Sequence, residues 1–436
     1  MSWFHDLETE LDRAPCAAVV AISLPHLRGS IIAGGADFGE AVVHAIIARL
    51  EDRFDGRLVS RSWGQEIFAV ISGVSRLEEI SKLASTIEAA FDEPFHCMGR
   101  LLHIVPSIGI SLSPDDGMTF RELLSKAQIA ADIALHPGNG TQLFAGEMAE
   151  NFHRAAAIED ALRDAVANRT LTLAYQPQFD LNMGRFSGVE VLVRWDDPHL
   201  GPISPADFIP IAERSGVIPR LGGWVLSEAT RQFSAHGAAA SGLELAINVS
   251  PRQLVDRGFV FEVEEVLDTS GIRPEQLTIE ITEGLMLHDI RATSATLNEV
   301  RSLGVRTAID DFGAGFSNLA YLRNLPLDQL KIDRDFVKHL RRDPRSRTVL
   351  DSTIGLGHGL GLQVCVEGVE SVEQFGMLQS LGCDLAQGFY LAHPCAIEQL
   401  DGHMRADFRR ITGIADAFDD GTVASGLNDR VDAGPS

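Results

Sequence analysis

Apolar and polar positions along the chain follow two regimes that change near residue 150. From about residue 15 to 145, strand-like apolar runs (Ala17–Ser23, Glu66–Ile71, Ile104–Ile110) alternate with stretches of helical period (Phe38–Arg53, Leu77–Phe91, Phe120–Leu135). That alternation predicts one small α/β or α+β domain. Gly34-Gly35, Ser113-Pro114-Asp115-Asp116-Gly117 and Pro137-Gly138-Asn139-Gly140 punctuate it as loops. An Ala- and charge-rich segment, Asn151 to Asn168, predicts a helix joining the two halves.

From Leu171 to about Pro394 the pattern becomes a repeated strand-then-helix alternation. The expected strands are Leu171–Tyr175, Gly188–Trp195, Glu244–Val249, Leu277–Thr282, Arg306–Asp310, Gln329–Ile332, Gln363–Val366 and Leu385–Tyr390. Helical stretches such as Gly222–His236, Phe259–Thr269, Ile290–Leu303, Arg347–Leu360 and Val372–Leu381 lie between most of them. Short, β-branched, continuously apolar strands suit a parallel sheet buried on both faces. About eight such units in roughly 220 residues match a (β/α)8 barrel. Gly413–Ser436 is rich in Gly, Asp and Ala with little periodicity, and reads as a mobile acidic tail.

Composition narrows the class. The 436 residues carry 37 basic and 61 acidic side chains, a net charge of −24, enough chain for two or three domains. With 45% hydrophobic and 22% charged residues the chain is globular, neither disordered nor collagen-like. No apolar run approaches the roughly 18 residues of a membrane span. The opening Met-Ser-Trp-Phe-His-Asp-Leu-Glu lacks the basic start of a secretory signal, so the expected location is cytoplasmic. Five scattered cysteines with no CxxC pair imply neither a disulfide framework nor a zinc site. The acidity opposes binding of duplex nucleic acid. It permits a small anionic ligand where divalent metal supplies the positive charge.

Candidate chemistry concentrates in the second half. Nearly every expected strand there ends in a polar residue: Glu190, Asn248, Glu280, Asp310 with Asp311, Lys331, Glu367 and Gln387. In a (β/α)8 barrel these ends share one mouth, where active sites are built. Five carboxylates at one mouth repel one another unless cations sit between them. Oxygen ligands suit magnesium or manganese. Asp310-Asp311 can serve two ions, which would clamp a phosphodiester and activate a water. Each residue alone has a plainer reading: a capping turn at Asp310–Gly313, or Lys331 paired outside with Asp333 or Asp335. Seven strand ends in a row favour metal-assisted phosphoester hydrolysis. A two-carboxylate glycosidase explains neither Asn248 nor the crowd of acids.

In order along the chain stand Tyr175-Gln176-Pro177, Glu190-Val191-Leu192-Val193-Arg194-Trp195, Asn248-Val249-Ser250, Glu280-Ile281-Thr282-Glu283, Asp310-Asp311-Phe312-Gly313, Lys331-Ile332-Asp333, Glu367-Gly368-Val369-Glu370 and Gln387-Gly388-Phe389. With these motifs the second half resembles the EAL family of cyclic-di-GMP phosphodiesterases, from Leu171 to about Pro394. The resemblance implies that Glu190, Asn248, Glu280 and Asp310 bind one divalent cation, and that Asp310, Asp311 and Glu367 bind a second. Both would be Mg2+ or Mn2+, with Ca2+ inhibitory. Lys331, Glu367 and Asp311 take the catalytic roles, Lys331 holding the attacking water or stabilising phosphate charge and Glu367 handling the water's proton. On the substrate side stand Gln176, Leu192, Arg194, Gln387 and Glu370, with Glu370 also behind the metal ligands. Glu283 anchors the Asp311–Leu319 loop, which couples the site to a dimer interface in the family. Two departures are mild: Glu-Val-Leu replaces Glu-Ala-Leu, and Gly-Ala-Gly-Phe-Ser-Asn replaces Gly-Thr-Gly-Tyr-Ser-Ser.

The first half resembles the GGDEF (diguanylate cyclase) fold in a degenerate form. Trp63-Gly64-Gln65-Glu66-Ile67 stands at the signature, so an indole occupies the first glycine position and Gln65 replaces an acid. Ser23-Leu24-Pro25 stands where a metal-binding Asp is usual, and Ala36 where a guanine-side His is usual. Phe54-Asp55-Gly56-Arg57 replaces the feedback motif, while Ser107-Ile108-Gly109-Ile110 and Ala127-Gln128 keep the family outline.

The expected architecture is therefore an N-terminal segment (1–14), a degenerate GGDEF-like domain (15–147), a connecting helix (148–168), an EAL barrel (169–410) and an acidic tail (411–436). The expected function is hydrolysis of cyclic di-GMP to linear pGpG with no cyclase activity, in a homodimer formed through the EAL domain. The first domain would be regulatory or dimerising, and could receive a protein partner. A non-hydrolysing cyclic-di-GMP receptor and a protein-interaction scaffold are the alternatives.

Overall fold

In the computed structural model the described residues are 2–14, 16–25, 27, 35–64, 66–74, 77–135, 140–256, 258–283, 290–313, 322, 324–338, 340 and 343–412. They form two compact units divided after Ala157. Gly34, Gln65, residues 137–139 and residues 413–436 lie outside the described residues.

The first unit is a five-stranded sheet with helices on both faces. Its elements are α1 (Ser2–Arg13), β1 (Ala17–Ser23), α2 (Ala36–Arg53), β2 (Leu58–Trp63), β3 (Glu66–Ser72), α3 (Leu77–Ala89), β4 (Phe95–Cys97), β5 (Arg100–Leu102), β6 (Ser107–Ser113), α4 (Phe120–Ala134) and β7 (Thr141–Leu143). The order is β2-β3-β1-β6-β7, and β4-β5 form a separate hairpin. Successive residues of β1 face opposite sides and build two cores. Ala18, Val20 and Ile22 join Val42, Ile46, Leu83 and Ile87 on one face. Ala17, Val19 and Ala21 join Leu7, Leu11, Phe120 and Leu123 on the other. The apolar side of α1, to which the sequence pattern gave no element, helps to close that second core.

The strand expected over Ile104–Ile110 begins instead at Ser107, directly after Pro106. Proline brings no N–H to a ladder, so pairing starts behind it. Gly109 shows why a glycine stands mid-strand: any Cβ would meet the backbone of Ala127 and Ala131 on α4. The helix therefore lies directly on the sheet at this point.

The elements continue with α5 (Gly146–Asn168), which runs through the division, then β8 (Thr172–Asp180), β9 (Arg185–Asp197), β10 (Gly201–Ile203), α6 (Pro205–Ser215), α7 (Ile218–His236), β11 (Glu244–Asn248), α8 (Pro251–Leu254), α9 (Phe259–Ser270), β12 (Leu277–Thr282), α10 (Ile290–Ser302), β13 (Arg306–Phe312), β14 (Gln329–Ile332), α11 (Asp335–Lys338), α12 (Pro344–Gly359), β15 (Gln363–Val366), α13 (Val372–Ser380), β16 (Leu385–Ala386) and α14 (Leu400–Thr412). Strands β8, β9 and β11–β16 close into an eight-stranded barrel, because β8 pairs with both β16 and β9.

The barrel corrects one expectation of an all-parallel sheet. β8 is antiparallel to both neighbours. Its link to β9 is the turn Leu181–Gly184, where Asp180 Oδ1 accepts from the N–H groups of Asn182 and Met183. So short a link cannot carry a crossover helix, and a hairpin is the remaining geometry. Inside, Arg306 ties the lower layer together, donating to Glu244 and Gln363 at 2.7 Å each.

Replacing Gly109 by Ala should destabilise the first unit by about 1–3 kcal/mol through overpacking against α4. A lowered thermal transition for that unit is the expected result; an unchanged one would contradict the close helix contact.

Candidate active site

Alternation along the strands carries the acids inward. Glu280 is fourth in β12, and Asp310 sits opposite Thr282 in the ladder, two residues above Glu280. Glu190 lies opposite Gln176 on one side and Ala246 on the other. Strand tilt brings these staggered positions to one level. Glu190, Glu280 and Asp310 are thus buried inside the barrel rather than solvated at its rim. The strand-end expectation is corrected to that extent: Glu190 is mid-strand in the long β9.

Lys331 is at the centre. Its side chain is 0% exposed, and Nζ lies 2.7 Å from Glu280 Oε2, 2.8 Å from Glu367 Oε1, and 3.2 Å from both Glu190 Oε2 and Asp310 Oδ1. The outward pairing with Asp333 or Asp335 is therefore excluded. Burial opposes charging of Lys331, but the surrounding acids hold its pKa well above the ordinary value.

The acids are not equivalent. Burial alone would raise the pKa of Glu190, yet Lys331 and hydrogen bonds from Gln387 and Asn248 hold it below the usual range. Gln387 Nε2 and Asn248 Nδ2 each donate to Glu190 at 2.7 Å. Glu280 is pushed well above the usual range by burial, with Glu190 and Asp310 adding to the effect. Its Oε1 is buried with no hydrogen-bond partner among the described residues. Burial, with the neighbouring acids, lifts Glu367 to about 8. Burial and Asp310 lift Asp311 to about 6.

Two consecutive strand residues ordinarily face opposite sides. Asp311 breaks that rule with φ 56°, and the β13–β14 register shifts between Ile309 and Phe312. The reversal lets Asp310 and Asp311 serve one site, and a short polar side chain tolerates the left-handed conformation better than most. Gly313 follows with φ 94°, and a Cβ there would collide with the Phe336 ring. Its N–H donates to Glu283 Oε2 at 2.9 Å. Glu283 thus holds the start of the Asp311–Leu319 loop, whose residues 314–319 lie outside the described residues.

Two sets of carboxylate oxygens lie within 4.8 Å of one another: Glu190, Glu280 and Asp310, and then Asp310, Asp311 and Glu367. All are hard oxygen donors, and the orphaned Glu280 Oε1 lacks a partner that a divalent cation would supply. The donor set therefore fits divalent metal. A cavity of about 430 Å³ opens beside it, lined by Leu192, Arg194, Asn248, Thr282, Asp310 and Asp311 among others. Gln176 and Gln387 stand behind the acids, Gln387 Nε2 also donating to Gln176 Oε1 at 3.1 Å. Glu370 stands apart: it is exposed, and its backbone N–H donates to Gln374 Oε1. It makes no hydrogen bond or ion pair to the acidic cluster, so its expected place behind the metal ligands is corrected.

Gln178 was not foreseen. It is buried and donates to Gln387 Oε1 at 3.0 Å, completing the amide relay toward Glu190. Its position two residues after Gln176 on β8, hence on the same face, was the available signal.

In the first unit, Ser23 pairs in register with Glu66. Gln128 Nε2 lies 3.4 Å from Glu66 Oε2. Trp63 is 62% exposed, its ring 6.0 Å from that of Trp3. Ala36 begins α2, and Asp55-Gly56 form a turn with φ of 47° and 76°.

The EAL domain model matches residues 159–394, more than half of the chain. The chain belongs to the EAL family. A second match, to the "Diguanylate cyclase, GGDEF domain" model, covers residues 2–141. Among curated relatives of this EAL protein, the bifunctional diguanylate cyclase/cyclic di-GMP phosphodiesterase MucR of Pseudomonas aeruginosa is 33% identical over 385 residues, covering 88% of this chain and 56% of MucR. The cyclic di-GMP phosphodiesterase NbdA of the same organism is 34% identical over 392 residues, covering 89% of this chain and 50% of NbdA. The chain thus spans about half the length of these relatives. A solved structure, the PaMucR phosphodiesterase in complex with c-di-GMP, is 38% identical over 56% of this chain and 99% of its own, with TM-score 0.53. Among the described residues no helix is long and apolar enough to cross a membrane.

Two predictions follow from the buried charges. Replacing Lys331 by Met should destabilise the metal-free protein by about 3–5 kcal/mol, as breaking a buried ion pair does. Mg2+ should then raise the melting temperature more in the variant than in the parent; an equal shift would show that Lys331 does not neutralise these acids. The raised folded-state pKa values of Glu367 and Asp311, about 8 and about 6, favour the protonated fold. Their contribution is full below the unfolded carboxylate pKa and is lost progressively as pH rises from there to about 6 for Asp311 and about 8 for Glu367. The melting temperature of chelated protein should fall over that interval, with a smaller fall in Mg2+.

Proposed function

We propose that this chain hydrolyses cyclic di-GMP to linear pGpG at the mouth of the EAL barrel, with two divalent cations, Mg2+ or Mn2+. The observation that carries this reading is the convergence of four carboxylates on a single lysine, with Asp311 grouped beside Asp310 and Glu367 at an open cavity. Glu190, Glu280, Asp310, Asp311 and Glu367 bring five negative charges when ionised, and Lys331 cancels one. The remaining four equal the charge of two divalent cations.

Glu190, Asn248, Glu280 and Asp310 would hold one cation, and Asp310, Asp311 and Glu367 the other. When bound, such ions polarise a phosphodiester and lower the pKa of water. The chain's own residues supply orientation and proton handling. Arg194 would pair with a phosphate, and Leu192 would pack against the dinucleotide in the same cavity. The Gln178–Gln387–Gln176 relay keeps Glu190 aimed and ionised. Glu367 Oε1 is engaged by Lys331, which leaves Oε2 to accept the proton of the attacking water. Water oxygen bonds to phosphorus, the bond from phosphorus to the 3′ oxygen breaks, and that oxygen takes a proton from solvent to leave as a hydroxyl, while Glu367 returns the water's proton to solvent.

For the first unit the proposal is a non-catalytic, regulatory or dimerising role, with a protein partner as its input. Trp63 at the signature turn and Ser23 beside Glu66 support it, since a bulky indole and a neutral hydroxyl replace groups that approach phosphate and metal. Homodimerisation through the EAL unit completes the reading.

Purified protein with cyclic di-GMP and Mg2+ or Mn2+ should release pGpG, resolved by chromatography. Replacing Glu190 by Ala should cut the rate by about 100-fold or more, beyond the loss typical of an outer-shell change. Ca2+ should suppress turnover, and GTP should yield no cyclic product. Parent and Glu190→Ala protein behaving alike would overturn the hydrolytic reading; cyclic di-GMP formed from GTP would overturn the reading of the first unit.

A further inference from the structure

The cavity beside the acids changes character along its length. Asp310, Asp311, Asn248 and Arg194 line it near the reacting centre, and Ile209, Leu221 and Val225 of α6 and α7 give it apolar walls. Among those walls stands one further carboxylate, Glu213, in the last turn of α6. The helix gains nothing from that charge, because its C-terminal end carries the negative pole of the backbone dipole. Among the described residues no lysine or arginine pairs with Glu213.

Glu213 is held instead by the start of α8. Ser250 caps that helix: its Oγ accepts from the Arg252 N–H at 3.2 Å, and its own N–H donates to Gln253 Oε1 at 3.1 Å. The hydroxyl proton remains for Glu213, and Ser250 Oγ donates to Glu213 Oε1 at 2.9 Å. Ser250 lies two residues beyond Asn248, whose amide donates to Glu190. The Cα atoms of Asn248 and Ser250 are therefore at most about 7 Å apart. One ligand can thus place a phosphate at the acids and a base at Glu213.

An ionised carboxylate only accepts, through two oxygens side by side. Its complement in an apolar-walled cavity is a flat body bearing two adjacent N–H donors. Guanine has that pair on its Watson–Crick edge, at N1–H and the N2 amine. Adenine presents an acceptor at N1, which a carboxylate repels. Hypoxanthine keeps N1–H and lacks the amine.

We propose that Glu213 reads one guanine of the substrate, accepting from N1–H and N2–H while the base lies against Ile209, Leu221 and Val225. This rests on cyclic di-GMP being the substrate and adds how the chain selects the base. Glu213 is then a specificity residue that takes no part in the chemistry.

The test titrates full-length protein calorimetrically with cyclic di-GMP and with its inosine analogue cyclic di-IMP, in Ca2+ to suppress turnover. The parent should favour cyclic di-GMP by about tenfold to a hundredfold, the size of one hydrogen bond to a charged group. Glu213→Ala should cut that preference at least about tenfold. A purely structural role would weaken both ligands alike and leave their ratio unmoved. Glu213→Gln, which keeps an oxygen for Ser250 but sets an amide donor against the N2 amine, should lower the ratio too and decides the case should Glu213→Ala fail to fold. A retained Mg2+-induced thermal shift checks the barrel of each variant. Release of pGpG in Mg2+ by a parent whose preference survives both substitutions would overturn this assignment and leave the hydrolytic reading standing. A preference that depends on Glu213 without release of pGpG would do the reverse. A parent that binds the two nucleotides equally, or neither, would overturn the assignment.

Discussion

A charged ammonium fully enclosed by four carboxylates is the constraint from which the barrel's chemistry follows. Taking such charges out of water costs several kcal/mol per ion, recovered only where geometry and hydrogen bonds are good. Lys331 meets that condition with four oxygens within 3.2 Å. One cation among five acids still leaves an excess of negative charge, and burial first, with the neighbouring acids adding to it, raises the pKa values of Glu280, Glu367 and Asp311. The barrel folds around a deficit that divalent cations are suited to fill.

How each acid behaves depends on its donors rather than its depth. Glu190 and Glu280 are both buried and both touch Lys331, yet their pKa values move in opposite directions. Glu190 has Asn248 and Gln387 as additional donors, whereas Glu280 has Lys331 on one oxygen and nothing on the other. The buried glutamines of β8 and the β16 end therefore set the charge state of a residue on β9. That coupling gives the antiparallel β8 a purpose in the site: it places Gln176 and Gln178 on the inner face beside Glu190.

The two units rest on different features of their strands. In the barrel, backbone strain is retained where it serves geometry, as in the left-handed Asp311 between two acids, a conformation that costs about 1–3 kcal/mol. In the first unit Trp63 ends β2 with its ring 6.0 Å from that of Trp3, and Ser23 stands opposite Glu66 across the strands. The sheet and both cores rest on apolar alternation in β1, β3 and β6 rather than on signature residues.

Much of this was legible in the linear pattern. Period-2 and helical-period runs located most elements of both units, and polar residues in apolar strands marked Glu190, Glu280, Asp310, Lys331 and Glu367. Local signals misled where a neighbour overrode them: Pro106 moved the start of β6, and the Asp180 turn converted an expected crossover into a hairpin. Glu370 shares a motif with Glu367, but it is exposed and makes no hydrogen bond or ion pair with the buried acids. The sequence by itself determined which residues carry charge and which strands bury them, because both follow from side-chain chemistry and spacing. Only the tertiary structure decided that Lys331 faces four carboxylates at once, that Asp311 reverses its backbone to join Asp310, and that Gln178 supports Glu190. Those outcomes depend on strand tilt, register and barrel closure, which bring together residues far apart in the chain and which no local run of amino acids encodes.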